Sequence, residues 1–464
     1  MTADRHHSPP MVPTYCARVS RQGRGRVRDR GGSPSRRYRR ARHDALMPED
    51  APESPRPADG TAKPQRAVPA DARIVGIDVA RGLALLGMFI AHAAPALPAG
   101  SNSLLEFFLL LPDERARLLF AVTAGLGLGL LTGGIRPPAR GALDARGSSR
   151  RGVLRRQVSI RAIYLIVLGF LLTATGVLVY VILDEYGVAF LILLPALFLG
   201  AWVQIGLGAV LLVVLPGLLA ALAVQPAVLM AASPPAGAGF GQHLLALVTD
   251  WFVTGAYPVG IWVAVMLLGM GLVRLGLHRP VVVLGAFGIG AAVMVGSIGS
   301  AMGFGATGIR APLPSGDPLT LAVGTSFFTV GNVGFAIALT MGIIALTSLA
   351  APAVARVTTW LTSPIAAAGS MPLSVYSAHV LVLVWTTAPG PNGVPTDDSW
   401  ATVIGLIVGT LVVSWLWRRF IGRGPLEWLA GVLSGRIRLG ADRADSDPDQ
   451  GGSRGEDAGP APIR

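Results

Sequence analysis

In the stretch RIVGIDVARGLALLGMFIAH at residues 73–92, three ionisable side chains, Asp78, Arg81 and His92, stand in the otherwise apolar run that follows Arg73. A charge in hydrocarbon is costly unless it is paired or wet, so each marks a candidate site by default. On a helix, Asp78 and Arg81 are one turn apart and can pair on one face. Arg81 and His92 fall close to three turns apart, which puts them on the same face at about 16 Å along the axis. Leu85 and Met88 fill the stripe between them. Two plainer readings stay open: an ion pair that anchors the helix near headgroups, and an interfacial histidine. Taken together, the spacing makes one side of this helix polar at both ends. An imidazole with a pKa of about 6.5 can take up and return a proton near neutral pH. A guanidinium is suited to phosphate.

A second unusual segment is AAGSMPLSVYSAHVLVL at residues 367–383. Ser370 before Pro372 suits a helix that starts there, with Ser370 as its cap. A helix that begins inside the protein points backbone N–H groups at whatever precedes it, a natural place for phosphate. Tyr376 then shares the face of His379, which is equally read as a buried histidine bonded to another helix. Arg115, just before an apolar run, is either an interface anchor or a site residue. Tyr257 and Trp262 read as an aromatic belt, and His243 and His278 fall in loops with no assigned role. The single cysteine, Cys16, excludes a disulfide or a cysteine metal site within one chain; no metal is expected. The glycines of AGLGLGLLTGG at residues 124–134 lack a strand–turn–helix context, so they suit close helix packing rather than a dinucleotide.

These residues need elements to hold them, and composition says which. Hydrophobic residues make up 52% of the chain, charged residues 14%, and mean hydropathy is +0.57. Uninterrupted apolar runs of this kind indicate membrane helices, not barrel strands. The expected fold is all-α: a polytopic transmembrane helix bundle of about ten spans with both termini cytoplasmic. The spans fall near 74–95, 112–133, 158–175, 186–202, 204–224, 254–274, 281–300, 325–349, 366–388 and 400–420. Loop charge supplies the orientation. The segment 134–161 holds eight Arg against one acid, Asp144, whereas alternate loops hold Asp184 and Glu185, Asp250, and Asp397 and Asp398. The net charge of +13 is concentrated in residues 1–46, where twelve Arg outnumber three Asp, so it does not imply a nucleic-acid partner. Residues 1–72 are expected to be a disordered basic and Pro-rich tail, with Met47 an alternative start, and 438–464 a second disordered tail. Between the last span and that tail, GPLEWLAGVLSGRIR reads as an amphipathic helix on the inner interface.

RIVGIDVARGLALLGMFIAH resembles the first helix of the multi-pass membrane acyltransferase superfamily. That group includes heparan-α-glucosaminide N-acetyltransferase-like proteins and type-3 acyltransferases. Asp78-x-x-Arg81-Gly82 matches the whole group, and the Arg81–His92 spacing matches the type-3 enzymes, whose Arg and His belong to the active site. LLFAVTAGLGLGL looks like the second helix of the heparan-type branch and GSMPLSVYSAHVLVL its late helix, which ends on a His. GRGPLEWL looks like the closing motif of bacterial relatives of unknown function. Relatives in the heparan-type branch often carry Asn in place of His92. The resemblance covers residues 73 to about 435, within a transmembrane acyltransferase-like domain at 73–437. It implies an integral membrane enzyme of the plasma (inner) membrane that moves an acyl group from cytoplasmic acyl-CoA, with acetyl-CoA the expected form, to a hydroxyl or amine acceptor such as a cell-envelope glycan or lipid. His92, Arg81 and His379 would be catalytic, with Asp78, Tyr376, Ser370 and Arg115 in support, and Arg81 and Ser370 would bind the acyl-CoA. A transporter or flippase of a small solute or lipid, and a non-catalytic membrane protein, are the alternative readings.

Overall fold

The computed structural model describes residues 74–437 apart from 96–107, 110, 145–146, 257, 307–316, 390–394 and 397. The chain divides into two units, Met1–Val68 and Pro69–Arg464, of which the first lies outside the described residues. Both expected tails and Tyr257 also lie outside them.

The described chain is almost entirely helical. In order the helices are α1 (Val75–Ala93), α2 (Pro112–Leu131), α3 (Arg150–Thr173), α4 (Leu183–Leu193), α5 (Ala201–Ala223), α6 (Pro226–Ala232), α7 (Phe240–Thr249) and α8 (Val259–Leu275). They continue with α9 (Pro280–Met302), α10 (Pro318–Ile344), α11 (Pro352–Leu361), α12 (Ser363–Ser370), α13 (Pro372–Thr386), α14 (Trp400–Phe420) and α15 (Pro425–Leu433). Six are long and apolar enough to cross a membrane: α1, α3, α5, α9, α10 with its π-turn to Leu349, and α14. Two bent pairs, Phe240–Thr254 with α8 at 49° and α12 with α13 at 89°, raise the number to eight if each is one broken span.

The ten expected spans therefore reduce to six to eight among the described residues, for physical reasons. Helix α2 has span length, but Asp113, Glu114, Arg115 and Arg117 all sit in its first turns. The fourth expected span, 186–202, is not one helix. Helix α4 has 11 residues, about 16 Å, and ends at Leu193, two residues before Pro195 and a 3-10 turn over Ala196–Phe198. Pro195 offers no N–H to carry the ladder on. The ninth expected span is broken at Met371, because Pro372 starts a new helix with its ring where an N–H would otherwise be needed.

Helix α1 lies at the centre, packed on α2, α12 and α10. Its crossing with α12 is close enough that a side chain at Gly82 would strike the Ile365 carbonyl, and one at Gly369 the Asp78 carbonyl. Gly125 of α2 meets the backbone of Met266, and Gly269 of α8 meets the Val122 carbonyl in return. The Gly-rich run thus packs helices at short range, as small residues do in membranes. Around these contacts Leu85, Phe89, Leu126, Trp262 and Tyr376 form the buried core.

Candidate functional site

The two candidate histidines meet. His92, near the C-terminal end of α1, places Nδ1 3.3 Å from Nε2 of His379, which stands in the second turn of α13. Their rings stack at 5.5 Å with a 16° interplanar angle, and Phe89 packs against His379 at 5.0 Å. His379 is 1% exposed and His92 half-buried. On its other side His379 Nδ1 lies 2.5 Å from the Tyr376 carbonyl oxygen. A carbonyl only accepts, so His379 Nδ1 carries the proton and donates it there. Neutral His379 then has a bare Nε2, which accepts from the Nδ1–H of His92. That leaves Nε2 of His92 as the free lone pair. One backbone carbonyl thus fixes both tautomers. The arrangement parallels hydrolytic triads in logic, where a second group orients the base.

Tyr376 is fully buried and its ring meets His379 edge-on at 4.9 Å. Its hydroxyl accepts the backbone N–H of Ile182 at 3.1 Å, which ties α13 to the N-cap of α4.

Arg81 and Asp78 sit toward the opposite end of α1. Their side chains lie 3.6 Å apart as the spacing predicts. The Arg81 guanidinium also donates to the Gly369 carbonyl at 3.3 Å and to Thr123 at 3.1 Å, so it bridges α1, α12 and α2. Asp78 lines a cleft of about 330 Å³ together with Thr359, Ser363, Ser370, Trp415, Arg418 and Arg419. Arg81 and the histidines therefore mark two ends of one helix rather than one contact cluster. Arg115 is buried with its guanidinium 5.9 Å above the Phe335 ring, near where Ala116 packs on Gly87.

Ser370 is not a cap. Its hydroxyl bonds back to the Ala367 carbonyl at 2.7 Å, and the N-cap of α13 is Met371 without a side-chain bond. The helix start is already filled by a carboxylate. Glu427 of α15 accepts from Leu373 N at 2.5 Å, Ser374 N at 3.2 Å and Ser374 Oγ at 2.5 Å. An anion at a helix N-terminus is the favourable arrangement, but here the protein supplies it, and the expected phosphate position is taken. Gly424 permits the approach, because a side chain there would collide with Glu427 and Met371.

Several buried charges carried no site reading from sequence. Arg274, near the end of α8, is buried at the C-terminus of α2. It donates to Thr132 Oγ1 at 2.7 Å, to the Leu197 carbonyl at 2.9 Å and to the Gly134 carbonyl, as cations do at helix C-termini. Asp184 and Glu185, seen as loop acids, occupy the buried first turn of α4. Acids in a first turn are a helix-start signal that could have placed them there. Arg117 pairs with Glu114, donates to the Ala256 carbonyl at 3.3 Å and lies within electrostatic reach of both His92 and Glu185.

Residues 73–285 match the family described as heparan-alpha-glucosaminide N-acetyltransferase, catalytic, and residues 281–434 match the family described as protein of unknown function (DUF418). No curated protein matches the chain. The first region carries Asp78, Arg81, His92, Arg115 and Glu185; the second carries Ser370, Tyr376, His379 and Glu427. The histidine pair joins one residue from each, so the two matched regions meet at that contact. Together the two matches support a heparan-alpha-glucosaminide N-acetyltransferase-like superfamily of membrane acyltransferase type.

Proposed function

We propose that the protein transfers an acyl group from acyl-CoA to a hydroxyl or amine acceptor, with the His92–His379 pair as the general base. The observation that carries this reading is the 3.3 Å contact between the two rings, with its proton order set by the Tyr376 carbonyl. As the acceptor heteroatom bonds to the acyl carbon, its O–H or N–H proton passes to Nε2 of His92. The C–S bond breaks, and the leaving thiolate takes up the proton to give the free thiol of CoA. The positive charge that forms transiently on His92 is stabilised by His379 Nε2, which accepts from its Nδ1–H. A positioned base of this kind contributes typically 10²–10⁴-fold.

The cleft at the other end of α1 supports a place for the donor. Arg418 and Arg419 offer guanidiniums to phosphate, Ser363 and Ser370 offer hydroxyls, and Trp415 offers an indole face. Arg81, held by two carbonyls and Asp78, keeps a fixed cation beside it. In this reading donor and acceptor arrive from opposite ends of α1, and acyl-CoA enters from the cytoplasmic face of the inner membrane.

Purified protein in lipid nanodiscs, given acetyl-CoA and a panel of amine and hydroxyl acceptors, tests this by release of free thiol. Wild type is expected to turn over, and His92→Ala to lose about 10²–10⁴ in kcat. Unchanged acyl transfer by His92→Ala overturns the assignment of the base.

A further inference from the structure

Arg161 is the last charge on α3 before the run AIYLIVLGFLLT, which has none. A cation at that depth is costly unless it is paired or wet. Arg161 makes no ion pair with a carboxylate among the described residues. Its Nε is shielded from solvent and donates to no acceptor. An arginine that merely snorkels to the headgroups keeps its polar atoms in water. Tyr164, one turn further on, repeats the condition, since its hydroxyl is shielded and unbonded. Two donors without acceptors thus stand at i and i+3 of one helix, close enough to serve one ligand. Buried polar atoms in that state call for a partner.

The packing of α3 shows where these side chains lie. Gly187 of α4 approaches the Ala162 carbonyl and Ile166, and Gly169 of α3 approaches Asp184. Ala162, Ile166 and Gly169 therefore form the side of α3 that meets α4. By helical periodicity Arg161 and Tyr164 fall outside that side. The other helices packed on α3 are α13 and α15, so these are the neighbours that cover them. Glu427 of α15 does not serve them, because its carboxylate is taken by Leu373 and Ser374. Arg423 and Arg436 stand exposed just before and just after α15, which adds cations at the rim. Past Tyr164, Val167 and Leu171 continue the same flank at i+3 and i+7, and both are exposed. The order along α3 is a cation, a hydroxyl and then bare apolar surface, which matches a phosphate followed by acyl chains.

We propose that Arg161 and Tyr164 hold the phosphate of an anionic phospholipid at the junction of α3, α13 and α15, with its acyl chains along Val167 and Leu171. Basic pockets between transmembrane helices take anionic headgroups in this way. A zwitterionic headgroup would bring an ammonium as well, and Glu427 is already committed to α13.

Native mass spectrometry of the full-length protein in detergent, titrated with lipid, tests this without recourse to acyl transfer. One phosphatidylglycerol is expected to bind at least about tenfold tighter than phosphatidylcholine. Arg161→Gln and Tyr164→Phe should each weaken it about tenfold, as the loss of a hydrogen bond to a charged group does. Arg140→Gln, in the Arg-rich loop, should stay within about twofold, since an exposed charge is screened. Should Arg161→Gln fail to fold, Tyr164→Phe carries the same readout. Unchanged affinity in Tyr164→Phe and Arg161→Gln, or an equal loss in Arg140→Gln, overturns the site. Displacement of the bound lipid by glycerol 3-phosphate or acetyl-CoA as readily as by phosphatidylglycerol identifies a soluble phosphate ester as the ligand and overturns the lipid assignment.

Discussion

The carbonyl oxygen of Tyr376 sets the direction of the protons at the histidine pair. Because that contact is to the backbone, the Tyr376 side chain serves a different task, holding the N-cap of α4 through Ile182. Tyr376→Phe should therefore lower stability by about 1–3 kcal/mol, the cost of a buried N–H left without an acceptor. Its kcat should change far less than that of either histidine variant, and thermal melting in detergent alongside the thiol-release assay separates the two effects. Much of this was legible locally. Asp78 with Arg81, and Tyr376 with His379, follow from helical spacing alone. What spacing could not supply is the partner of His92, which lies 287 residues further along the chain. Nor could spacing reveal that Ser370 turns its hydroxyl back into its own helix. Serine competes locally for carbonyls, and here the carbonyl of Ala367 wins.

Among the elements, the break between α12 and α13 is the one that starts the helix carrying His379. Its 89° bend frees a helix start inside the protein, and α15 answers it with Glu427. The closing GPLEWL segment was legible as an amphipathic helix, yet its role in capping α13 was not, because the contact spans more than fifty residues. Glu427→Ala removes the cap from the helix that carries His379. We expect a loss of about 1–2 kcal/mol, read as a lower melting temperature, with Glu427→Gln retaining part of the stability through its remaining acceptor oxygen. Hydropathy located most helices, and six to eight spans among the described residues are long and apolar enough to cross a membrane. It does not register that Pro195 ends a helix after 11 residues, or that a helix with four charges in its first turns can still be packed at the centre.

For the whole molecule, charge distribution gives a direction. The Arg-rich loop, Arg274, Arg418 and Arg419 should lie on the cytoplasmic side, with Asp398 and the histidine end of α1 opposite. Ser399 N bonds the Ala93 carbonyl at 2.9 Å, so Asp398 does lie at that end. Single cysteines at Arg140 and Asp398, in a Cys16→Ser background, test the orientation with a membrane-impermeant thiol reagent on intact cells. Labelling is expected at Asp398→Cys and not at Arg140→Cys, and the reverse pattern would invert the proposed entry sides of donor and acceptor. The two matched families divide the chain near residue 283, but the site does not respect that division, since one histidine comes from each side.

The central claim is that the histidines act as one base, and a double-mutant cycle on acyl transfer tests it most directly. If they act as a unit, His92→Ala and His92→Ala/His379→Ala should lose kcat to about the same extent, within the 10²–10⁴ range of a single base, because removing the second ring takes nothing further away. Independent losses that multiply in the double variant, or a His92→Ala protein that transfers at the wild-type rate, would contradict it.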